Sequence, residues 1–448
     1  MNVLPIKIQN YRIFIFAVFG FLLFELSFLY FGSEVGFSKL FLFTIVPIIV
    51  LFLLLNPFYS LLICLFVLFS GLTNGLEIPY GFFVVVAFTG LSWVLDQAVR
   101  LEFSIRFDTQ YFWIFGILIA ITISGFAAPE IMTSLESLLL FVKLAVFYFL
   151  IFQIIQTRSQ LKLAILIIIA ATVFSILIGI ISQFGLIPIF NSVEQGFRLR
   201  GLTSQPNVLA LHILLIFPFL FLYMFKNHKI LNKLLIAVIT IFTFFGLLGT
   251  FSRSAFLCLI GVGIALLYSL RRNRWLLFIA AFSFIITLIL VPEIIWDRIS
   301  TLQDPSQDAS LRWRAKLFWA AINLFIENPI MGIGTGNFVK ISHQFISIHL
   351  STHNTILEIA TESGLIGLIT FGGFFLVAIK NLFISAQWFE RSKDTDFIIF
   401  SQGFLASFVG IILFSLFFSI HIYFVIWAFL GLGLCLFHIV KKEMINAQ

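Results

Sequence analysis

Long apolar runs separated by short polar segments follow one another along almost the whole chain. A run of about 20 apolar residues is long enough for a helix to cross a bilayer. The first run follows Lys7 and Arg12 and lacks a cleavage site, so we interpret it as an uncleaved helix rather than a signal peptide. The break at Asn56-Pro57 separates two helices, because proline cannot continue the helical hydrogen-bond ladder. About fourteen spans are predicted, near 14–31, 39–55, 57–73, 79–95, 111–127, 136–155, 161–187, 208–225, 231–249, 254–270, 275–292, 355–379, 396–418 and 420–439.

The composition excludes several classes of protein. Of the 448 residues, 61% are hydrophobic and only 10% are charged, and Phe alone occurs 61 times. A soluble globule could not hide so much apolar surface, because most of its surface must meet water. A soluble enzyme, a disordered chain and a peripheral protein with one anchor are therefore excluded. The pattern predicts an all-α polytopic membrane protein with about 12–14 transmembrane helices.

The positions of the basic residues predict how the chain crosses the membrane. If the N-terminus is cytoplasmic, most of the 27 Lys and Arg residues fall in cytoplasmic segments, as the positive-inside rule requires. This bias predicts that both termini are cytoplasmic, and it accounts for the net charge of +7 without a nucleic-acid partner. The exceptions lie in the loop 188–207, at Arg253 and in the long loop 293–352. They favour an anionic ligand such as pyrophosphate; pairing with nearby acids or lipid headgroups is the alternative.

The long loop contains a helical pattern of its own. Trp313, Leu317 and Leu324 recur at helical spacing with basic residues between them, which predicts an amphipathic helix at the outer membrane surface. Asn328-Pro329 ends that helix, and the glycines at 332–336 are interpreted as a flexible connector because they lack a phosphate-binding spacing. The chain is thus divided into N-terminal helices (1–187), central helices with outer Arg segments (188–292), the loop (293–352) and C-terminal helices (353–448).

A histidine and two acids mark the end of the long loop. His353 lies where the next span begins, and Glu358 and Glu362 follow one and two to three turns further on. Carboxylates at that depth are costly and are functional candidates by default, although pairing between helices is the common alternative. A neutral His can accept a proton from a hydroxyl nucleophile. The three cysteines lie inside apolar runs with no CxxC pair, which disfavours a disulfide framework or a Cys-based metal site.

Four pieces of sequence between about 190 and 370 occur in an order that resembles the signature of the bacterial O-antigen ligase and O-antigen polymerase superfamily. These pieces are Arg200-Gly201 with Pro206-Asn207, Ser252-Arg253-Ser254-Ala255, Arg314 with Asn328-Pro329-Ile330-Met331-Gly332-Ile333-Gly334, and His353-Asn354 with Gly364-Leu365-Ile366-Gly367.

The resemblance implies a fold similar to C-type glycosyltransferases and an active site that faces the periplasm of a bacterial inner membrane. The expected donor is a glycan on undecaprenyl pyrophosphate, and the expected acceptor is lipid A core or another lipid-linked glycan; membrane lipids surround the protein. His353, Arg253 and Arg314 take the places of the family's functional residues, with His353 activating the acceptor hydroxyl and the arginines clamping the pyrophosphate. Neither a metal nor another cofactor is expected. Substrate-binding roles are expected for Arg200, Asn207, Arg312, Asn354 and Glu358.

Several functions stay open at this point. The motifs do not separate a ligase from a polymerase, although the spacing from His353-Asn354 to Gly364 favours a ligase. A protein-glycosylating relative is disfavoured because few residues follow the last span. A transporter of small solutes or ions is a more distant alternative, since no internal repeat occurs and the acids lie near one end of their span. A purely structural protein leaves the outer arginines unexplained.

Overall fold

The structure is a computed structural model that describes residues 49–101, 103–184, 193–194, 198–226, 229–270, 278 and 309–447. The predicted spans near 14–31 and 275–292, and most of the one near 39–55, lie outside these residues. Residues 49–54 are helical and lead into the first complete helix.

The described chain is almost entirely helical. The helices are α1 Pro57–Ser70, α2 Leu72–Gly75, α3 Gly81–Arg100, α4 Gln110–Gly125, α5 Ile131–Ile154, α6 Arg158–Gln183, α7 Pro206–Met224, α8 Ile230–Gly249, α9 Arg253–Ser269, α10 Ala309–Glu327, α11 Asn337–Ile341, α12 Thr355–Ser392, α13 Thr395–Ser415 and α14 Phe424–Asn446, with a 3-10 turn at Ser342–Gln344. Two short strands, β1 Val193–Glu194 and β2 Arg198–Leu199, pair antiparallel.

The helices confirm the predicted all-α polytopic membrane fold. Within the described residues, eight helices are long and apolar enough to cross a membrane, namely α3, α5, α6, α7, α8, α12, α13 and α14. Three shorter apolar helices, α1, α4 and α9, account for the remaining predicted spans in the same residues. Helix α12 is longer than predicted, because it continues past residue 379 to Ser392.

Successive helices run in opposite directions, so their connections gather at two ends of the bundle. The first, here called the motif end, is formed by segments 71–80, 126–130, 198–205, 250–252, 328–354 and 416–423. The second, the basic end, is formed by segments 103–109, 155–157 and 393–394 and by the last turns of α14. All the sequence motifs except the Gly364–Gly367 piece, which lies within α12, fall at or next to the motif end.

Ion pairs hold the basic end together. Arg158 at the start of α6 bonds to Glu443 of α14 at 2.6 Å and also pairs with Asp394 before α13. Lys162 lies 2.9 Å from Asp396, which also pairs with Lys226. These pairs join α6, the end of α7, α13 and α14, whose apolar faces already pack against one another, so the basic end fixes the relative register of these four helices.

The predicted amphipathic helix is present as α10, and it packs against protein. The Thr361 hydroxyl of α12 donates a 3.0 Å hydrogen bond to the Ala321 carbonyl of α10. The apolar face of α10 forms a small separate core that consists of Leu317, Ala321, Ile333, Phe338 and Ile346. Trp319 stays exposed on the opposite side, and Trp313, one turn before Leu317, is also partly exposed. The helix is thereby fixed to the start of α12 by one face and presents aromatic side chains on the other.

The glycine stretch after α10 is built into a break in α12. Gly364 has φ 63° and ψ −158°, a conformation that only glycine adopts readily, and it interrupts the helix. The carbonyls of Thr361 and Glu362 instead accept hydrogen bonds from the N–H groups of Ile333 (3.0 Å) and Gly334 (2.9 Å). In return, the N–H of Leu365 donates to the Pro329 carbonyl at 2.8 Å. The segment 329–334 therefore replaces the helical hydrogen bonds that the break removes.

The prediction that glycines 332–336 form a flexible connector is wrong. Gly332, Ile333, Gly334 and Thr335 are all buried. A side chain at Gly332 would lie 2.4 Å from the backbone of Glu362, so the close approach of the two segments requires glycine on this side as well. The stretch is a fixed backbone clip that joins the loop to α12, with Gly332 and Gly364 facing each other's segments across the contact.

We expect Gly364→Ala to destabilise the protein by roughly 2–4 kcal/mol, because the backbone conformation is strained for alanine and the added carbon collides with the loop. That carbon would lie 2.2 Å from the Ile330 oxygen. Thermal unfolding in detergent micelles measures the effect. Gly372→Ala is the matched control, since a side chain there meets nothing within 4 Å, and helix propensity predicts unchanged or slightly higher stability. Equal unfolding temperatures for the two variants would contradict the clip.

Candidate active site

His353 lies in a tight turn immediately before α12. Asn354 caps the helix, because its side-chain oxygen accepts the Leu357 N–H at 3.0 Å. His353 itself has φ +53°, in the left-handed region that few side chains adopt. Its ring stacks on Phe418 from the segment between α13 and α14, with the centroids 6.1 Å apart. The cap and the stack fix both ends of the turn, so the direction of the imidazole is determined by the fold.

The surroundings of the His353 ring keep it uncharged. Burial and the neighbouring Arg314 guanidinium lower the pKa of His353 from 6.5 to about 4. Its Nδ1 atom is buried and has no hydrogen-bond partner in the part of the chain that the structure describes. A neutral imidazole beside a fixed positive charge can accept a proton at neutral pH, and it can hydrogen-bond to a hydroxyl group that enters the site.

Glu358 joins the His353 turn to the segment between α13 and α14. The buried carboxylate accepts hydrogen bonds from the Thr352 N–H at 3.1 Å and from the Ser419 hydroxyl at 2.5 Å. Thr355 makes a parallel connection, because its hydroxyl donates to the Phe418 carbonyl at 2.8 Å. Glu358, predicted to bind substrate, thus links the two segments that flank the His353 imidazole. These are the turn before α12 and the segment that carries Phe418.

The arginines of α10 differ in their placement. Arg314 is half-buried on the face that carries Leu317 and Ala321, and its charge acts on His353. Arg312 is exposed on another face of the helix. Positions 314, 317 and 321 follow the helical repeat, so the face that packs against α12 also presents Arg314 to the His353 turn. The structure therefore brings Arg314 and His353 together and leaves Arg312 further out on the helix.

A second group of predicted residues surrounds the start of α9. Ser252 caps this helix, and its hydroxyl donates to the Asn207 side-chain oxygen at 2.8 Å. Arg253 is the first residue of the helix, where the unpaired N–H groups of a helix favour an anion and disfavour a cation. Phe251, just before the cap, has φ +46°. Placing a half-buried arginine at this helix end makes a site suited to an anionic group.

Two further arginines come close to this second group. Arg198 Nε donates to the Thr250 carbonyl at 3.0 Å, next to the cap of α9. The Arg200 carbonyl accepts the Thr203 hydroxyl at 2.6 Å in a turn whose Gly201 has φ +60°. A side chain on Gly201 would lie 2.6 Å from the Ser175 hydroxyl, so the turn is pressed against α6. Arg200 and Asn207 are thereby held in one compact segment at the motif end.

The segment 416–423 connects the two groups, and sequence reasoning missed it. The Gln205 amide donates to the Tyr423 hydroxyl at 3.1 Å. The Tyr423 ring lies 5.6 Å from that of Phe418, which in turn stacks on His353. The signal was present as Ser419 and His421, two polar residues within the last apolar stretches. Tyr423, Phe418 and Ser419 therefore belong to the candidate site.

Glu362 links α12 to the segment around the glycine clip, and the described residues contain no candidate metal site. Its carboxylate accepts the Phe338 N–H at 3.1 Å, which holds the glycine clip and α11 in place. The described part of the chain has no group of three or more His, Cys, Asp or Glu side chains that could hold a metal ion. The side chains that the described residues bring together at the candidate site include one imidazole, guanidinium groups and hydroxyls.

Comparison with known proteins finds a family match in the middle of the chain. Residues 236–372 match the family model described as O-Antigen ligase. The match contains Arg253, Arg314 and His353 and extends past the glycine break of α12, whereas Arg200 and Asn207 precede it. No curated protein shows a significant match to the chain. The glycine clip and the His353 turn both lie inside the matched segment, so this part of the multi-pass membrane protein is similar to O-antigen ligases.

Proposed function

We propose that this protein transfers a glycan from a lipid pyrophosphate to a hydroxyl acceptor, with O-antigen ligation to lipid A core as the reaction. The observation that carries the proposal is the buried, neutral His353 beside Arg314 at the start of α12. The family supports a glycosyltransferase that acts on lipid-linked glycans. The ligase assignment follows the family description and the spacing of the His353 motif, and the undecaprenyl carrier follows from the resemblance.

The proposed reaction is an inverting displacement. His353 takes the proton of the acceptor hydroxyl while that oxygen attacks the anomeric carbon. The bond between this carbon and the pyrophosphate oxygen breaks, and its electron pair leaves with the pyrophosphate. Arg253 and Arg314 stabilise the charge that develops on the leaving group, and Arg200 adds positive charge nearby. No step requires a metal ion.

The same proposal places the motif end in the periplasm. Arg158, Lys162 and Lys226 lie at the basic end, as do the last turns of α14. The positive-inside rule then puts the basic end and the C-terminus in the cytoplasm. A donor lipid that has been moved to the outer leaflet would meet the site on the side where the acceptor lies.

Purified protein should be supplied with lipid-linked glycan and either lipid A core or more lipid-linked glycan, with and without EDTA. A single transfer to the core that survives EDTA is the expected result. A ladder of repeats would instead identify a polymerase. Absence of any transfer, with binding or flux of a solute, would favour the transporter, and a strict requirement for Mg²⁺ would contradict the proposed mechanism.

The pH dependence of this transfer should reflect the low pKa of His353. The neutral form is the active one, so kcat/KM should fall as the pH drops through about 4 rather than through 6.5, because burial and Arg314 lower the pKa of the imidazole. Arg314→Gln removes the neighbouring charge and should move the acid limb to higher pH, whereas Arg314→Lys should move it less. Profiles measured between pH 4 and 8 test this, and a wild-type limb near 6.5 would contradict it.

We expect Glu358→Ala to lower kcat by about tenfold or more, because the turn that carries His353 loses its anchor to Ser419 and small displacements of reacting groups are costly. Glu358→Gln keeps one acceptor oxygen and should retain more activity. Ser419→Ala removes only one of the hydrogen bonds and should have a smaller effect than Glu358→Ala. Equal activity of Glu358→Ala and wild type, at equal thermal stability, would show that the anchor does not position the imidazole.

A further inference from the structure

The motif end contains a second recess, separate from the His353 turn. It has a volume of about 220 Å³ and lies between the adjoining ends of α1, α3, α7 and α14. The side chains around its mouth include Thr73, Asn74 and Ser204, and Tyr423 borders it on the side of the candidate site. Phe82 and Phe83 contribute aromatic walls. We call this cavity the His212 recess, after the residue that lines its deeper part.

His212 gives the recess an unused hydrogen-bond acceptor. The side chain is only 2% exposed, and its Nδ1 lies 2.9 Å from the Phe69 carbonyl. A carbonyl can only accept, so Nδ1 carries the proton and Nε2 is left with a free lone pair. No hydrogen bond to Nε2 is seen among the residues that the structure describes, and Nε2 is not one of the fully buried unpaired atoms. This atom is therefore accessible to accept a hydrogen bond from a hydroxyl group that enters the recess.

The depth of His212 indicates that the ligand enters the recess rather than lying across its mouth. Helix α7 begins at Pro206, and His212 is six residues further along, or roughly 9 Å at 1.5 Å per residue. Ser204 lies before the helix and is exposed. Hydrogen-bonding groups are therefore present both at the mouth and near the floor, with apolar and aromatic side chains between them.

The chemistry of the lining selects a neutral ligand rich in hydroxyl groups. None of the side chains that line the recess is charged, in contrast to the arginine-rich groups around α9 and α10. Hydroxyl and amide groups combined with aromatic faces suit a sugar ring, whose edges are polar and whose faces carry C–H groups. The volume of about 220 Å³ leaves room for one sugar ring.

The recess is connected directly to the candidate active site. The Thr203 hydroxyl at its wall donates to the Arg200 carbonyl at 2.6 Å. Tyr423 accepts a hydrogen bond from Gln205 on one side and contacts Phe418, which stacks on His353, on the other. We propose that the His212 recess binds one neutral sugar residue of the glycan substrate and so selects which glycan is transferred. This inference rests on the proposed function.

Direct sugar binding tests the recess without turnover. Full-length protein in a detergent without a sugar headgroup would be mixed with methyl glycosides of glucose, galactose and N-acetylglucosamine, and saturation-transfer NMR would be recorded. At least one glycoside should give a signal that falls at least fivefold in Ser204→Trp, which fills the mouth, and in His212→Leu, which removes the acceptor. Ser347→Trp is the matched control, because Ser347 is exposed at the same end and outside the recess. Its signal should equal that of wild type.

The same variants separate this inference from the proposed function. In the transfer assay, Ser204→Trp should raise the KM for lipid-linked glycan at least fivefold and change kcat much less. Sugar binding without any transfer would sustain the recess and reject the transferase. If folded Ser204→Trp and His212→Leu transfer glycan with an unchanged KM, the recess is rejected and the transferase is kept. If the two variants lose NMR contacts with acyl chains while the sugar signals stay unchanged, the occupant is a lipid tail, and the recess is likewise rejected.

Discussion

Replacing His353 by alanine should reduce glycan transfer by about 10²–10⁴-fold, the range that a positioned general base contributes. The imidazole is neutral at neutral pH, buried and fixed against Phe418, so no other described side chain takes its place in the turn. Transfer to the acceptor by purified protein, with kcat and KM determined separately, measures the loss. The fold should remain, because Asn354 still caps α12 and Glu358 still holds Thr352.

His349→Ala provides the control for this experiment. His349 is exposed on the same loop, four residues before the turn, and its imidazole bonds to the Val339 carbonyl at 3.1 Å and lies against the exposed His343 ring. Its replacement should leave transfer at the wild-type rate. If His353→Ala inserts in the membrane normally and transfers glycan as fast as wild type, His353 is not the base. His353→Gln separates the two roles of the ring, since glutamine can hydrogen-bond to the acceptor but cannot take its proton.

Replacing Arg253 or Arg314 by alanine should each lower kcat/KM by about 10²–10³-fold, because each guanidinium stabilises charge on the departing pyrophosphate. Arg253 occupies the first position of α9 and Arg314 the protein-facing side of α10, so the two charges approach the leaving group from different helices. Lysine should rescue only part of the activity, since it lacks the planar fork that bonds two phosphate oxygens at once. Binding of lipid pyrophosphate and kcat/KM should fall together.

Lys340→Ala is the matched control, because it also removes one positive charge at the motif end. Lys340 is more than half exposed, and its ammonium lies 3.7 Å from the Glu130 carboxylate at the surface. Removing it should change donor binding little, because exposed pairs contribute weakly and are screened by salt. Unchanged donor affinity in both Arg253→Ala and Arg314→Ala would refute the clamp. Arg312→Ala also separates the two arginines of α10, since the exposed Arg312 should matter less than Arg314.

The sequence predicted the fold well because length and hydrophobicity determine where a helix can cross a bilayer. Every predicted span in the described residues corresponds to an apolar helix, and even the amphipathic α10 follows from its 3.6-residue period. The extension of α12 to Ser392 was missed because Lys380, Asn381 and later polar residues interrupt the apolar run. A helix can continue through such residues towards the basic end, where Trp388 Nε1, for example, donates to the Glu443 carboxylate at 3.3 Å.

The sequence predicted the candidate site only at residues whose type is unusual in this chain. His353 and the arginines stand out because charge and titratable groups are rare in this chain. Gly332 packs against the break at Gly364 because two backbone segments come so close that a side chain would not fit between them. The spacing of hydrophobic residues in the sequence does not predict such a contact. Phe418 and Tyr423 escaped notice because aromatic residues are everywhere in this sequence, so only the structure shows which of them touch His353 and Gln205.

The ion pairs of the basic end can form only in a set order as the chain is synthesised. Arg158 lies 285 residues before Glu443 and 236 before Asp394, and His438 lies 330 residues after its partner Asp108. At about 5–20 residues per second, the ribosome needs roughly 15–60 s between adding Arg158 and adding Glu443. Arg158 can pair with Asp394 once α13 has been made, but its bonds to Glu443 form only after α14 inserts. A chain released before α14 would leave Arg158 without Glu443 and Asp108 without His438.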